Sequence, residues 1–251
     1  MSDSIENLQR EEFYDDYVLS NNKTSDVDAM FKVREKFNEF IFQKFIQPNY
    51  VNFREIRVFE IGCGAGVTGK FLKTKGIEDY KGVDISEDQI KFSEEIVPGK
   101  CSLKDLSIAL PELEDDSIDV FYAIDIFEHL SKKQILWTLS EFRRILKKGG
   151  ICICQTPNAD GIFFSGAFYS DFTHITPLNL RTVNFLANKS GLSIHSICES
   201  GPYQGGLKSY IRIVLWKLLR LVFAFIYAVE VGDFNLKRPF TRNFKFILRK
   251  R

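Results

Sequence analysis

The feature that most constrains this chain is a short apolar run, Arg57–Ile61, that ends abruptly in glycines. The segment reads Glu60-Ile61-Gly62-Cys63-Gly64-Ala65-Gly66, with Gly69 three residues on. A buried strand that turns through glycines into a helix is half of a β-α unit. The missing Cβ atoms let the backbone turn tightly and lie close to a ligand. The unit then repeats. Val67–Lys75 reads as a helix, Tyr80–Asp84 as a strand, and Ser86–Ile96 as a helix opened by a Ser-x-x-Gln capping box. Cys101–Leu103 is a weak strand and Ile118–Ile124 a strong one. Ser131–Leu146 is a helix with the same box, stopped by Gly149-Gly150, and Ile151–Gln155 is a fifth strand. Alternation of this kind predicts an α/β fold, a mostly parallel, doubly wound sheet with helices on both faces.

Upstream, Met30, Val33, Phe37, Ile41 and Phe45 recur every three or four residues, so Asp26–Ile46 reads as an amphipathic helix that Pro48 closes. Residues 1–50 are expected to form a helical cap on a domain spanning 51–251. Downstream of Thr156-Pro157 regularity lapses for about twenty residues, a length that suggests function rather than mere connection. Leu178–Lys189 then reads as a helix, with strands at Leu192–Cys198 and Asn243–Leu248.

Composition excludes several classes. Residues 1–20 are polar and acidic, unlike a secretory signal, and no run reaches the ~18 apolar residues of a membrane span. Five cysteines and three histidines show no Cys-x-x-Cys and no paired ligand spacing, so no metal site is expected, and a reducing, cytoplasmic setting is. Cys63, Cys152 and Cys154 read as small apolar residues of strands. The net charge of +1 hides an asymmetry: residues 208–251 hold eleven Lys/Arg against two acids, on an acidic body. That tail suits an anionic partner, a phosphorylated acceptor or the inner face of a membrane, or is simply a solvated face.

Two chemistries use such a glycine loop. Read from Gly64 it fits G-x-G-x-x-G, with Asp84 twenty residues on, and implies a dinucleotide. Read from Gly62 it is an acid, an apolar residue and G-x-G-x-G. A dinucleotide strand needs no carboxylate two residues before its first glycine, and burying Glu60 without a partner would be costly. Glu60 is therefore expected to anchor the loop amides or to face a cationic ligand such as S-adenosylmethionine. Asp84, closing the second strand, can accept two ribose hydroxyls, or alternatively cap the next helix beside Ser86. Asp105 can accept adenine amino hydrogens while Leu106 covers the ring; a surface turn is the alternative. Asp125 and His129 lie at the carboxyl end of strand four, where ligands of open α/β sheets bind.

The order Glu60 loop, Asp84, Asp105, Asp125-x-x-Glu128-His129-Leu130 and Leu146-Lys147-Lys148-Gly149-Gly150 resembles the class I (Rossmann-like) methyltransferases, most closely relatives of ubiquinone O-methyltransferases, over residues 55–200. The resemblance implies a seven-stranded sheet with an antiparallel last strand. It implies S-adenosylmethionine as cofactor and S-adenosylhomocysteine as product. Glu60, Gly62, Cys63, Gly64 and Gly66 would lie near the methionine moiety and Asp84 with Ile85 by the ribose. Asp105 and Leu106 would lie at adenine, with Asp125 and Tyr17 completing the cofactor set. The family's amino-methylating nucleic-acid enzymes have a proline pair after strand four. This chain has Asp125-Ile126-Phe127-Glu128, so no nucleic-acid partner is expected.

A hydroxyl acceptor needs its proton removed. The candidate bases are His174, with Asp171 three residues before it as orienting acid, and His129; helix capping or packing is the alternative for each. His195 is expected to be structural. Tyr169-x-Asp171-x-Thr173-His174-x-x-Pro177 resembles, more loosely, methyltransferases of bacterial surface-polysaccharide gene sets. That resemblance implies a sugar, sugar-nucleotide or glycan hydroxyl as acceptor. An amino sugar, a quinone-type phenol, and a non-catalytic SAM-binding scaffold are the alternatives. In Lys208–Val231, Arg212, Lys217 and Arg220 share one arc of a helical wheel and apolar residues fill much of the rest. Packing against the sheet is the favoured expectation; an interfacial helix, a dimer contact and a lid are the alternatives.

Overall fold

A computed structural model describes residues 27–203 and 206–251. Asp26, and Tyr17 of the expected cofactor set, lie outside them. Seven strands form one sheet: β1 Arg57–Ile61, β2 Asp79–Asp84, β3 Cys101–Leu103, β4 Ile118–Ile124, β5 Leu146–Pro157, β6 Ser193–Glu199 and β7 Asn243–Arg249. Their spatial order is β3-β2-β1-β4-β5-β7-β6, parallel except for β7, which pairs antiparallel with both β5 and β6. The sheet expected from the sequence is therefore the one formed, antiparallel last strand included. The chain runs outward in opposite directions from the adjacent strands β1 and β4. That divergence opens a crevice at their carboxyl ends.

β4 is central and buried on both faces, which is why it is apolar without alternation. Phe121 and Ala123 enter one core and Val120, Tyr122 and Ile124 the other. Over the second face lie α1, Val27–Ile41, and the π turn Phe42–Ile46 that continues it. Phe37, Ile41, Phe42, Phe45 and Ile46 pack there on Val58, Val120 and Ile151. α2, Val67–Thr74, and α3, Glu87–Ile96, follow β1 and β2, and the short α4, Leu106–Ala109, follows β3. Over the first face lies α5, Lys132–Ile145, presenting Ile135, Leu139, Phe142 and Ile145. Its Ser131/Gln134 capping box is fully formed. α6, Phe164–Phe168, and α7, Leu180–Ser190, lie between β5 and β6.

Three local expectations are corrected. Gly149-Gly150 does not stop α5, which ends at Ile145. Gly149, at φ 81°, instead makes the bulge where Ile118 pairs with Leu146 but Val120 with Ile151. Cys63 is buried, but in the loop after β1 rather than in a strand. The third correction is larger. The stretch expected to pack on the sheet is a 26-residue helix, α8, Gly206–Val231, of which only Ala224 is buried among the described side chains.

Candidate active site

The glycine loop is held by hydrogen bonds to the end of β2. The amides of Gly62 and Cys63 both donate to the Val83 carbonyl, at 2.8 and 3.1 Å, and Gly64 N–H donates to Asp84 Oδ2 at 2.8 Å. Gly62 has φ 67°, and a Cβ there would lie 2.0 Å from Ile126 Cδ1. Only glycine fits. Gly66 serves a different neighbour: a Cβ on it would meet Val97 of the segment after α3, and it does not line the crevice.

Glu60 does not face a ligand. It is fully buried, and accepts from Thr68 Oγ1 at 3.0 Å and Tyr80 OH at 2.6 Å. Burial raises its carboxyl to about 7, against the opposing influence of Arg34. The acid pins the root of the loop through side chains, which corrects the expectation that it anchors amides or meets a cation. Asp84 ties the loop through Gly64, and its Oδ1 accepts from Ser86 N–H at 2.9 Å; Ser86, and not Asp84, caps α3. Burial raises its carboxyl.

At the crevice the structure forms a cavity of about 930 Å³, within the range of small-molecule and cofactor sites. Gly62, Cys63, Gly64, Asp84, Ile85, Asp105, Leu106, Asp125, His129, Asp171 and His174 all line it. Asp105 also caps α4 by accepting from Ser107 N–H. Asp125 sits at φ 59°, a left-handed backbone that aspartate tolerates better than most residues. Gln155 Nε2 donates to both its carboxylate oxygens, at 3.0 and 3.1 Å.

The donor set tests the two readings of the loop. A pyrophosphate needs free amides at the loop. Four of them, on Gly62, Cys63, Gly64 and Gly66, are committed to protein acceptors. The cavity wall instead offers Asp84, Asp105, Asp125 and Asp171, which suit a ligand carrying positive charge. S-adenosylmethionine, with its ammonium and sulfonium, fits such a wall.

The irregular segment after β5 folds back over this cavity. Ile175 and Thr176 donate their amides to the Glu128 carbonyl, at 2.8 and 3.0 Å, and so bring two distant histidines together. The rings of His129 and His174 stand 4.5 Å apart, edge to face. The Phe168 carbonyl can only accept, so His174 Nδ1, 2.8 Å away, carries a proton. Thr173 Oγ1 gives its own proton to Asp171 Oδ1 at 2.6 Å and therefore accepts from His129 Nδ1 at 2.8 Å. With the proton on Nδ1, Nε2 is the ring atom left to accept one. Asp171 Oδ2 is 3.7 Å from His174 Nε2, beyond hydrogen-bond reach, so Phe168 and not Asp171 orients His174. Burial alone would raise the Asp171 carboxyl, but the Thr173 hydroxyl and amide outweigh it and hold it below its ordinary value.

Glu128, His129 and His174 each present one ligand atom within 4.8 Å of the others, a spacing compatible with a cation that the sequence did not suggest. Burial, then Asp125, pushes the Glu128 carboxyl well up, and a protonated carboxyl is a poor ligand. His195 lies elsewhere, on β6 beside Arg249 and the Phe45 ring. Sequence reasoning missed Thr173, which links the acid to His129, and Gln155, which holds Asp125. Thr173 stood inside a quoted motif. Nothing local marks Gln155, whose role depends on pairing between β4 and β5.

Residues 59–154 match the family model described as "Methyltransferase domain". A ubiquinone biosynthesis O-methyltransferase of Rickettsia prowazekii (strain Madrid E) is 26% identical over 141 residues, 55% of this chain and 54% of that protein. A 2-methyl-6-phytyl-1,4-hydroquinone methyltransferase of Synechocystis is 29% identical over 99 residues, 38% of this chain and 30% of that one. The matched part thus spans about half the length of the first relative and less of the second. A SAM-dependent methyltransferase from Archaeoglobus fulgidus shares the fold, with a TM-score of 0.59 at 23% identity, covering 87% of this chain and 96% of the other.

Proposed function

Residues 59–154 are a methyltransferase domain, and from that premise we propose that the chain transfers a methyl group from S-adenosylmethionine to an acceptor hydroxyl. The observation that carries the reading is the His174 imidazole at the cavity, its Nδ1 proton tied to the Phe168 carbonyl and its ring 4.5 Å from that of His129. The cofactor supplies an electrophilic methyl group on a sulfonium. The chain's part is to bind, align and take a proton. Asp84 accepts from the ribose hydroxyls while its hold on Gly64 keeps the loop in shape. Asp105 would accept from the adenine amino group with Leu106 over the ring, Ile85 would lie by the ribose, and Gly62, Cys63, Gly64 and Asp125 would surround the amino-acid end. His174 takes the acceptor proton on Nε2, and His129, steadied by Thr173 and Asp171, lies beside it. Alignment is the larger contribution, on the order of 7–11 kcal/mol in favourable systems, with general-base catalysis adding roughly 10²–10⁴-fold.

A sugar-bearing acceptor is the first reading, and the motif Tyr169-x-Asp171-x-Thr173-His174-x-x-Pro177 supports it. A quinone-type phenol is the second reading, favoured by the names of the two curated relatives. Either hydroxyl gives its proton to the same base.

The test is calorimetric titration of S-adenosylhomocysteine, with NAD as control, on wild type and Asp84→Ala. Micromolar binding of the first ligand alone, lost on substitution, is expected. NAD binding would return the loop to its dinucleotide reading. Labelled methyl transfer to panels of sugars and phenols then separates the acceptors, and tight binding without transfer to any would leave a scaffold.

A further inference from the structure

The helix α8 is a surface built the wrong way round for a water-facing helix. Ile211, Leu215, Leu218, Val222, Phe225 and Val229 follow one another at alternating spacings of four and three, and so form one stripe along it. Each is 49–72% exposed. Exposed apolar side chains continue on both sides of the stripe, Val214 and Tyr210 on one and Leu219 and Ile226 on the other. The exposed apolar face therefore covers about half the helix circumference.

The opposite side is the one fixed to the body. Trp216 Nε1 donates to Glu199 Oε2 at 2.9 Å, and Arg220 Nε lies 3.3 Å from Glu199 Oε1. The Arg238 guanidinium stacks over the Tyr227 ring at 4.0 Å, and Phe223 meets Phe240. These contacts hold the apolar face outward. The helix carries Lys208, Arg212, Lys217 and Arg220 against a single acid, Glu230. Of the cations, Lys208 and Arg212 flank the apolar face on one side and Lys217 on the other. No described helix is long and apolar enough to cross a membrane.

We propose that α8 lies in the plane of an anionic lipid surface, its outward apolar face sunk among the acyl chains and its flanking cations on the headgroups. The charge pattern selects this occupant. An apolar face of half a circumference rimmed by cations is the pattern of an interfacial helix, whose lysines and arginines reach back to the headgroups. A helix pair would need only the narrower seam of a coiled coil. The face is also contiguous, ten large exposed side chains contributing to it, unlike the singly scattered apolar residues of an ordinary surface.

The experiment is sedimentation of the full chain with vesicles of phosphatidylcholine alone and of phosphatidylcholine with phosphatidylglycerol. Wild type is expected to pellet with the mixed vesicles and much less with the neutral ones. Leu218→Asp/Val222→Asp/Phe225→Asp should lower the partition coefficient at least tenfold while keeping a cooperative melt. Lys208→Glu/Arg212→Glu/Lys217→Glu should remove the preference for anionic lipid. Should the triple aspartate chain not fold, Leu218→Trp provides the readout, with a blue-shifted emission on mixed vesicles. Wild type left in the supernatant with both vesicle types, or an unshifted emission from the Leu218→Trp chain, overturns the proposal. So does a dimer in sedimentation velocity that the aspartates dissociate without any vesicle binding, because the occupant is then a second copy. Methyl transfer enters none of these readouts, so they stand or fall independently of the catalytic reading.

Discussion

At His174 the proton inventory can be closed from its neighbours alone. The Phe168 carbonyl fixes Nδ1–H, and among the described residues no donor is bound to Nε2 of this cavity-lining ring. His174→Ala should therefore lower kcat more than tenfold on a hydroxyl acceptor while leaving S-adenosylhomocysteine binding intact. Steady-state kinetics with isothermal titration on the same preparation checks both halves. A rate near wild type would move the proton to another group. Thr173→Val should cost less, because it frees His129 and Asp171 from one another without touching the His174 ring. The spacing Asp171-x-x-His174 was legible in the sequence, but what it meant was not. At that separation an acid can hold the imidazole directly, yet the chain turns so that Thr173 takes Asp171 instead.

Among the elements, the turn from β1 into α2 is the most demanding. Its amides are already spent on β2, so its shape is set by neighbours on both sides. Gly62→Ala places a Cβ in a left-handed backbone, at about 1–2 kcal/mol, and forces Ile126 to move. A fall in Tm of roughly 5 °C or more is expected, together with weaker S-adenosylhomocysteine binding, read by differential scanning fluorimetry with and without ligand. An unchanged melt would mean that the Ile126 side chain yields freely. The strands β1 to β4 and the helices α2, α3 and α5 were legible almost to the residue, because each pairs a hydrophobic period with a cap or glycine; the short α4 was not, having read as a turn. The amphipathic pattern of α8 was equally legible, but its packing was read backwards. A wheel shows which residues share a side; it does not show which side meets the body, and Glu199 and Phe240 decide that from distant strands and loops.

For the whole molecule, two buried charges of opposite sign give stability a pH dependence. Glu60 has its carboxyl raised to about 7, so the stability it contributes is full below the ordinary carboxylate range and is lost as pH rises through about 7. Lys245, fully buried with Nζ on the Glu199 carbonyl and Tyr203 OH, is pushed down to about 7 by burial. Its penalty is relieved as pH rises above 7 toward the ordinary lysine range. Thermal melts of wild type and Glu60→Gln should run parallel at pH 4 and diverge by pH 7.5, with the variant gaining several degrees. Equal slopes throughout would mean that Glu60 ionises in the folded chain as it does in water. The sequence by itself determined the doubly wound sheet, the glycine turn and most of the cavity wall. Those follow from period, capping and the steric freedom of glycine, all of which act within a dozen residues. Only the tertiary structure decided that Glu60 faces inward, that His129 and His174 meet, and that α8 turns its apolar side to the outside. Each of these depends on which atoms a folded neighbour has already claimed, and that information is spread over chain separations of 17 to 44 residues in the hydrogen bonds themselves.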